Sequence, residues 1–158
     1  LQLSESKNLP RIVSVQNPYS LVNRTYEVGL AEMSIREQAG LLAYSPLAFG
    51  MLSGKYLNGQ MPEGSRLKLF GSHFPRYQGT RTQLAVEEYY KVAQKHNLSL
   101  AQMSLAFVNA QPFVTSNIIG ATTMDQLKEN IDSINLDLSD EIMEEINAIH
   151  ENNPSPAP

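Results

Sequence analysis

The sequence predicts an α/β fold built on a parallel sheet, and three observations carry that expectation. Ile12–Gln16, Gly40–Ser45 and Val114–Ile119 are short apolar runs. The first two run continuously apolar rather than alternating, which suits strands covered by helices better than a half-wet antiparallel sheet. Each run is followed by residues with helical spacing, giving three β–α units of parallel type. A long glycine-rich connection, Leu47–Arg81, separates the second strand from the next helices.

In chain order, Leu1–Asn8 is expected to be the end of a helix, with Lys7 and Asn8 in its last turn and Pro10 closing it. The strand Ile12–Gln16 stops at the turn Asn17-Pro18-Tyr19-Ser20. A helix over Glu27–Gln38 places Val28, Ala31 and Ile35 on one face, with Gly40 just past its end. Pro46 stops the second strand. The connection Leu47–Arg81 holds Gly50, Gly54, Gly59, Gly64 and Gly71 beside Lys55, Arg66, Lys68, His73, Arg76 and Arg81. A loop this long inside a compact domain is functional or disordered, and basic residues among glycines favour function.

Helices resume at Gln83–Asn97, with Val86, Tyr90 and Ala93 inward, and at Leu100–Ala110. Ser99 and Gln102 have the form of a capping box there, and Met103, Ala106, Phe107 and Ala110 supply the buried face. After the third strand comes Gly120, where the backbone turns or approaches a ligand closely. Thr123 and Gln126 form another capping box, and Leu127, Ile131 and Ile134 mark one stripe of the following helix. The exposed N–H groups and positive dipole end of such a helix suit an anionic ligand. Ser139 caps a last helix that carries Ile142, Ile146 and Ile149 on one side. Residues 1–150 are thus expected to form one domain part, and 151–158, rich in proline, a disordered tail.

Composition sets further bounds. A chain of 158 residues with 42% hydrophobic and 18% charged residues can bury a sizeable core. Its net charge of −4 provides no basic field for nucleic acid or an anionic membrane. No apolar run approaches the roughly 20 residues of a membrane span, so a cytoplasmic setting is the default expectation. The absence of cysteine removes disulfides and thiol chemistry. His73, His96 and His150 read as surface histidines, no spacing suggests a metal site, and no serine stands in a nucleophile elbow. Three parallel strands cannot close a barrel and leave two unpaired edges, so the chain reads as part of a larger fold.

Val15-Gln16-Asn17-Pro18-Tyr19-Ser20, then Ala43-Tyr44-Ser45-Pro46-Leu47-Ala48 with Ser53-Gly54-Lys55-Tyr56, then Ile119-Gly120-Ala121-Thr122 with Gln126-Leu127 and Glu129-Asn130, together resemble the aldo-keto reductases. The resemblance is strongest to the branch that includes the potassium-channel β subunits. It implies an eight-stranded (β/α)8 TIM barrel, of which this chain would hold strands six to eight, their helices and extra C-terminal helices. The missing N-terminal half of the same barrel is then the partner of first importance, and oligomer formation stays open.

The implied cofactor is NADPH/NADP+ and the implied substrate a small-molecule carbonyl, an aldehyde or ketone reduced to an alcohol. By the same resemblance Tyr44 would stack on the nicotinamide and Gln16 would hydrogen-bond its carboxamide. Ser45, Pro46, Leu47, Ala48 and Gly50 would line the pyrophosphate, with Lys55 neutralising it. Arg66 would hold the adenosine phosphate, Gly120, Ala121, Thr122 and Gln126 the 2′-phosphate, and Glu129 and Asn130 the adenine edge. Barrel enzymes do place phosphates on the loops after strands seven and eight.

Many family members carry lysine and arginine where this chain has Gly120 and Gln126, and a neutral pair grips phosphate less strongly. The family's general-acid tyrosine, its lysine and aspartate, and its histidine sit in the first half of family chains. None matches a position here, so no catalytic residue is assigned and the chain alone is expected to be inactive. Two other readings are a nucleotide-binding regulatory subunit, as the channel β-subunit resemblance allows, and an interaction module that pairs its bare sheet edges.

Overall fold

The computed structural model describes residues 2–158. Its elements are α1 (Gln2–Ser6), β1 (Ser14–Pro18), α2 (Leu30–Glu37), β2 (Gly40–Tyr44), α3 (Arg66–Phe70), α4 (Thr80–Lys95), α5 (Leu100–Asn109), β3 (Val114–Ile118), α6 (Met124–Asp132) and α7 (Asp140–Asn152). The expected first helix is present as α1 but ends at Ser6, with Lys7 and Asn8 in the turn that follows, and Leu1 lies outside the described residues. The first strand begins two residues later than its apolar run suggests and takes in Asn17 and Pro18.

The three strands form one sheet in the order β1-β2-β3, parallel throughout. Pro18 pairs with Tyr44 and Tyr44 with Ile118, so the three C-terminal strand ends stand side by side. A register shift between Leu41 and Leu42 accommodates the extra residue Thr115. Gly40 follows from that shift. A Cβ there would lie 1.8 Å from Thr115 Oγ1, so only glycine lets the bulge close on β2.

The two faces of the sheet differ. Leu41 and Ala43 are fully buried and join Val15 and Val114 in the main core with Phe107, Phe113 and Tyr19. Leu42 and Tyr44, alternating with them, are only half-buried, and Gln16 and Ser116 are exposed. The expectation of strands covered on both faces therefore holds for one face. The face bearing Gln16, Tyr44 and Ile118 is open.

Several helices depart from their expected faces for local reasons. The helix expected over Glu27–Gln38 is broken at Gly29, with a 3-10 turn at Thr25–Val28 before it. Its buried residues are Ala31 and Ser34, the latter bonded to the Tyr26 hydroxyl, while Val28 is 90% exposed and Ile35 also faces out. The left-handed terminal residue is Gln38 (φ 52°), because Gly40 is already committed to the strand. In α4 it is Tyr89 that turns inward, donating its hydroxyl to Leu21 O at 3.0 Å, and Tyr90 lies partly exposed. In α5 the face is buried as expected except for Ala110, which is exposed.

Helix α6 turns a polar edge inward. Asn130 and Ser133 are buried, Ser133 Oγ donates to Asn130 O, and Asn109 Nδ2 reaches Ser133. The expected stripe of Ile131 and Ile134 is left 54% and 67% exposed, on a side where no described segment lies. Helix α7 meets its expectation: Ser139 accepts from Ile142 N, and Ile142 and Ile146 are buried.

The tail expected to be disordered is docked. Ala157 is buried and its N–H donates to Val22 O at 3.0 Å, while Thr82 Oγ1 donates to Pro156 O at 3.0 Å. Backbone hydrogen bonding of this kind outweighs the compositional signal of the prolines. The long connection is likewise ordered, folded into short 3-10 turns around α3.

Beneath the tail lies a partly buried ion pair. Arg24 grips Glu27 with two bonds of 2.7 and 2.8 Å, and its third nitrogen reaches Asn147 Oδ1 at 2.8 Å. Tyr19 donates to the same carboxylate, and Ser155 Oγ accepts from Arg24 N. Burial alone would raise the Glu27 pKa, but the Arg24 and Tyr19 hydrogen bonds outweigh it and hold it below the ordinary range. Burial lifts the Tyr19 phenol far above its usual value, with the Glu27 carboxylate adding to the effect. His150, nearby, has its pKa lowered, first by burial and then by Arg24, and its Nδ1 has no partner among the described residues.

Both His150 and Glu27 bind protons more readily unfolded than folded, so stability falls as pH drops. The His150 loss begins below its ordinary value of 6.5. The Glu27 loss begins below 4.5. Urea midpoints measured from pH 8 to pH 4 are expected to decline in these two stages, and His150→Gln is expected to flatten the upper one. Phe107→Ala, which empties a fully buried site, is expected to cost about 3–5 kcal/mol by the same titration.

Candidate functional site

The candidate site is built at the C-terminal edge of the sheet, from the three loops that parallel pairing brings together there. The segment after β2 has an unusual backbone. Ser45, Ala48 and Phe49 take positive φ of 56°, 48° and 60°, and Gly50 follows at 95°. Left-handed conformations at three non-glycine residues within five positions are costly and persist only where packing enforces them. The N–H groups of Ala48 and Gly50 donate 2.8 Å bonds within the turn, to Ser45 O and Leu47 O. No bond from Leu47 N or Phe49 N appears among the turn, loop and cap hydrogen bonds of the described residues.

Aromatic packing enforces the turn. The Phe49 ring stacks on Tyr77 at 5.6 Å with the planes 2° apart and meets Phe74 at 4.5 Å. Tyr56 adds a second brace, its hydroxyl accepting from Leu67 N at 3.2 Å and so fixing the first turn of α3. Composition gave a signal for these residues, because Phe49, Tyr56, Phe70, Phe74 and Tyr77 all fall within the glycine-rich connection. Attention to its basic residues alone misses them.

Two cations close over the turn. Lys55 folds back on Gly50, where a Cβ would lie 3.0 Å from its Cε and 3.1 Å from its Nζ. Arg66 sits 5.7 Å from the Phe49 ring centre, and one of its guanidinium nitrogens lies 3.9 Å from where a Cβ on Gly120 would be. Arg66 thus bridges the loop after β2 to the loop after β3. Neither cation has a carboxylate partner among the described residues. Lys68 and Arg76, by contrast, are engaged by Glu63 and by Pro158 O.

The loop after β3 is stitched from α6. Gln126 Oε1 accepts from Thr122 N and Thr122 Oγ1, both at 3.0 Å, while Gln126 N donates to Thr123 Oγ1 at 3.2 Å. The capping box is therefore displaced by one residue, the glutamine reaching Thr122 rather than Thr123. Because only Oε1 can accept from an N–H, the Gln126 amide orientation is fixed and its Nε2 is left as a donor. Asn130 Nδ2 holds Gly120 O at 3.3 Å, and Glu129 Oε1 accepts from Ser99 Oγ at 2.6 Å. Both residues, singled out from the sequence as adenine contacts, thus carry packing roles between α6, α5 and the loop.

Tyr44, Ser45–Gly50, Lys55, Arg66 and Gly120–Gln126 are all brought to the same edge. Gln16 lies two residues short of the end of β1, on the same open face as Tyr44. Pro46 and Ala48 are buried, so any contact they make with a ligand is through backbone.

His96 approaches Glu141 and Glu145 across α4 and α7, and the three bring potential ligand atoms within 4.8 Å of one another. The Lys95 ammonium already occupies that trio, at 2.9 Å from Glu141 and 2.5 Å from Glu145. Hydrogen bonds to Glu145, then Glu141, hold the Lys95 pKa above its ordinary value, and Lys95 holds that of Glu145 below. The cluster is an exposed ion pair network of small energetic weight. No single helix carries all its members, so sequence spacing gives no sign of it.

Residues 1–151 match the Aldo/keto reductase family. The chain belongs to that family. Within it, the chain is 57% identical over its whole length to Protein tas of Escherichia coli (strain K12), covering 45% of that protein. It is also 36% identical over 156 residues to an aldo-keto reductase of Babesia bovis, covering 94% of this chain and 55% of the relative. An L-glyceraldehyde 3-phosphate reductase of Escherichia coli O157:H7 is 32% identical over 143 residues, 85% of this chain and 40% of the relative. The chain thus spans about half the length of the curated relatives it matches. The chain is thus a Tas-like member of the family, and no helix among the described residues is long and apolar enough to cross a membrane.

Two glycines give a paired check on the site geometry. Gly50→Ala is expected to lower stability by about 1–3 kcal/mol, since its φ of 95° and the Lys55 side chain both oppose a Cβ. Gly120→Ala meets only Arg66 at 3.9 Å and is expected to stay within about 0.5 kcal/mol of the parent in the same denaturation experiment.

Proposed function

We propose that this chain supplies the dinucleotide site of an NADPH-dependent aldo/keto reductase that reduces small aldehydes or ketones to alcohols. The observation that carries the proposal is the convergence of Lys55 and Arg66, without carboxylate partners among the described residues, on a left-handed turn beside Gly120. An anionic ligand with phosphates spread over several ångströms suits such a surface, because charge-assisted hydrogen bonds and backbone N–H groups face it together. The fit extends to the glycines: a Cβ at Gly50 would press on Lys55, whereas Gly120 leaves open space in front of Arg66.

In this reading the backbone of Ser45, Pro46, Leu47, Ala48 and Gly50 lines the pyrophosphate, with Leu47 and Phe49 N–H as donors and Lys55 as the counter-charge. Arg66 and the loop Gly120–Ala121–Thr122, with the Gln126 amide behind it, take the adenosine phosphates. Glu129 and Asn130 take the adenine edge while keeping their packing bonds. Tyr44 offers its ring to the nicotinamide, fixing which face is presented, and Gln16 hydrogen-bonds the carboxamide. The cofactor, when bound, supplies the hydride. The proton donor and the groups that orient the carbonyl are proposed to lie outside this chain, in the remainder of the intact protein, so this chain alone is expected to be inactive.

We propose also that β1, β2 and β3 are strands six to eight of an eight-stranded barrel. The open sheet face, the bare outer edges of β1 and β3 and the one-sided helical cover support this, as each would be closed by further strands. The exposed Ile131 and Ile134 stripe on α6 fits the same reading. Any preference for NADPH over NADH rests in this reading on Lys55 and Arg66, since Gly120, Thr122 and Gln126 add no charge.

Titration of the full-length parent protein with NADPH, followed by nicotinamide fluorescence, tests the proposal. Saturable binding is expected, weakened about ten- to a hundredfold by Lys55→Met or Arg66→Met. A parent that neither binds NADPH nor reduces any carbonyl would sink it. A parent that binds but never turns over would be a nucleotide-binding regulatory protein instead.

A further inference from the structure

Phe49 joins the cofactor turn to a part of the chain far from it in sequence. Its ring lies flat against Tyr77, itself buried, and Arg66 rests against it at 5.7 Å. Tyr77 is held in turn by Arg76, whose guanidinium lies 4.9 Å over the ring and donates to its hydroxyl at 3.1 Å. The other end of that guanidinium donates to Pro158 O at 3.1 Å. Thr82 Oγ1 lies 3.2 Å from Arg76 O and 3.0 Å from Pro156 O, so the same hydroxyl meets both segments. Ala157, buried, bonds Val22 O and completes the anchorage.

We infer that Tyr77 and Arg76 are positioning residues that couple the docked segment 153–158 to the cofactor turn, so that docking of this segment tightens dinucleotide binding. The inference rests on the site reading above and adds residues which that reading does not use. Its physical basis is the positive φ of Phe49. A non-glycine residue in the left-handed region stays there only while its surroundings leave it no alternative. The flat stack on Tyr77 is one such restraint, beside Phe74 at 4.5 Å, and Tyr77 is itself held by Arg76, which the tail engages. Releasing the tail frees Arg76, lets Tyr77 move, and returns conformational freedom to the turn whose N–H groups and neighbouring cations meet phosphate. Order lost from the free protein must then be restored on binding, which lowers affinity without removing any contact to the ligand.

The test compares NADPH dissociation constants, kcat at saturating cofactor and Tm in the full-length protein for Tyr77→Leu, Tyr77→Phe, Arg76→Met and removal of residues 154–158. Tyr77→Leu is expected to weaken NADPH binding about three- to tenfold, the scale of one aromatic contact, with kcat changed less than about twofold. Tyr77→Phe keeps the stack and is expected to restore most of that affinity. Arg76→Met and the tail deletion are expected to weaken binding in the same direction, with no additive loss when combined with each other.

Unchanged NADPH affinity in folded Tyr77→Leu would overturn the inference. So would equal weakening by Leu and Phe accompanied by the same drop in Tm, since that pattern is general damage to the fold. If Tyr77→Leu does not fold, the Arg76 variant and the deletion decide: wild-type affinity in both overturns it. Failure of the parent itself to bind NADPH would count against the site reading, whereas a binding parent with indifferent variants counts against the coupling alone.

Discussion

Parallel pairing in a common register is the constraint on which the remaining structure depends. Because Pro18, Tyr44 and Ile118 are neighbours across the sheet, the chain leaves all three strands at the same edge. Every residue of the candidate site hangs from one of those exits or from the helix that follows. Helical cover on one face alone leaves Tyr44 and Gln16 on the open face. Gly40 and Thr115 guard this register, since any side chain at 40 collides with the bulge.

The site is held open by two different kinds of restraint. After β2, aromatic packing holds a turn that its own backbone would not choose, with Phe49 against Tyr77 and Phe74. After β3, short polar bonds do the work: Gln126 to Thr122 and Asn130 to Gly120. Arg66 lies where the two meet. An anion binder benefits from such rigidity, because donors and cations already aimed at the ligand need little reordering when it arrives. The partly buried Arg24–Glu27 pair plays the corresponding part on the helical side, fixing the loop after β1 to α7 and the tail.

Much of the architecture was legible from residue pattern. The second and third strands, the caps at Ser99, Thr123 and Ser139, and the buried stripe of α7 all follow from local rules that act within a few residues. The family was legible too, because Ala43–Ala48, Ile119–Thr122 and Gln126–Asn130 keep their order and spacing. The faces of α2 and α6 were not. Periodicity marks an apolar stripe, yet which stripe is buried depends on what packs against the helix, and here polar contacts through Ser34, Asn130 and Ser133 win. The tail misled for a related reason: prolines signal poor self-structure, but Val22, Thr82 and Arg76 supply partners from elsewhere in the chain.

The sequence by itself determined the strand–helix alternation, the glycine turns, the supply of basic residues and the kinship to the aldo/keto reductases, since these are properties of neighbouring residues. Only the tertiary structure decided that Lys55 folds onto Gly50 and Arg66 reaches Gly120, that Phe49 lies against Tyr77, and that one sheet face stays bare. Those outcomes depend on residues tens of positions apart being driven together by burial, and no local pattern encodes which of them will touch.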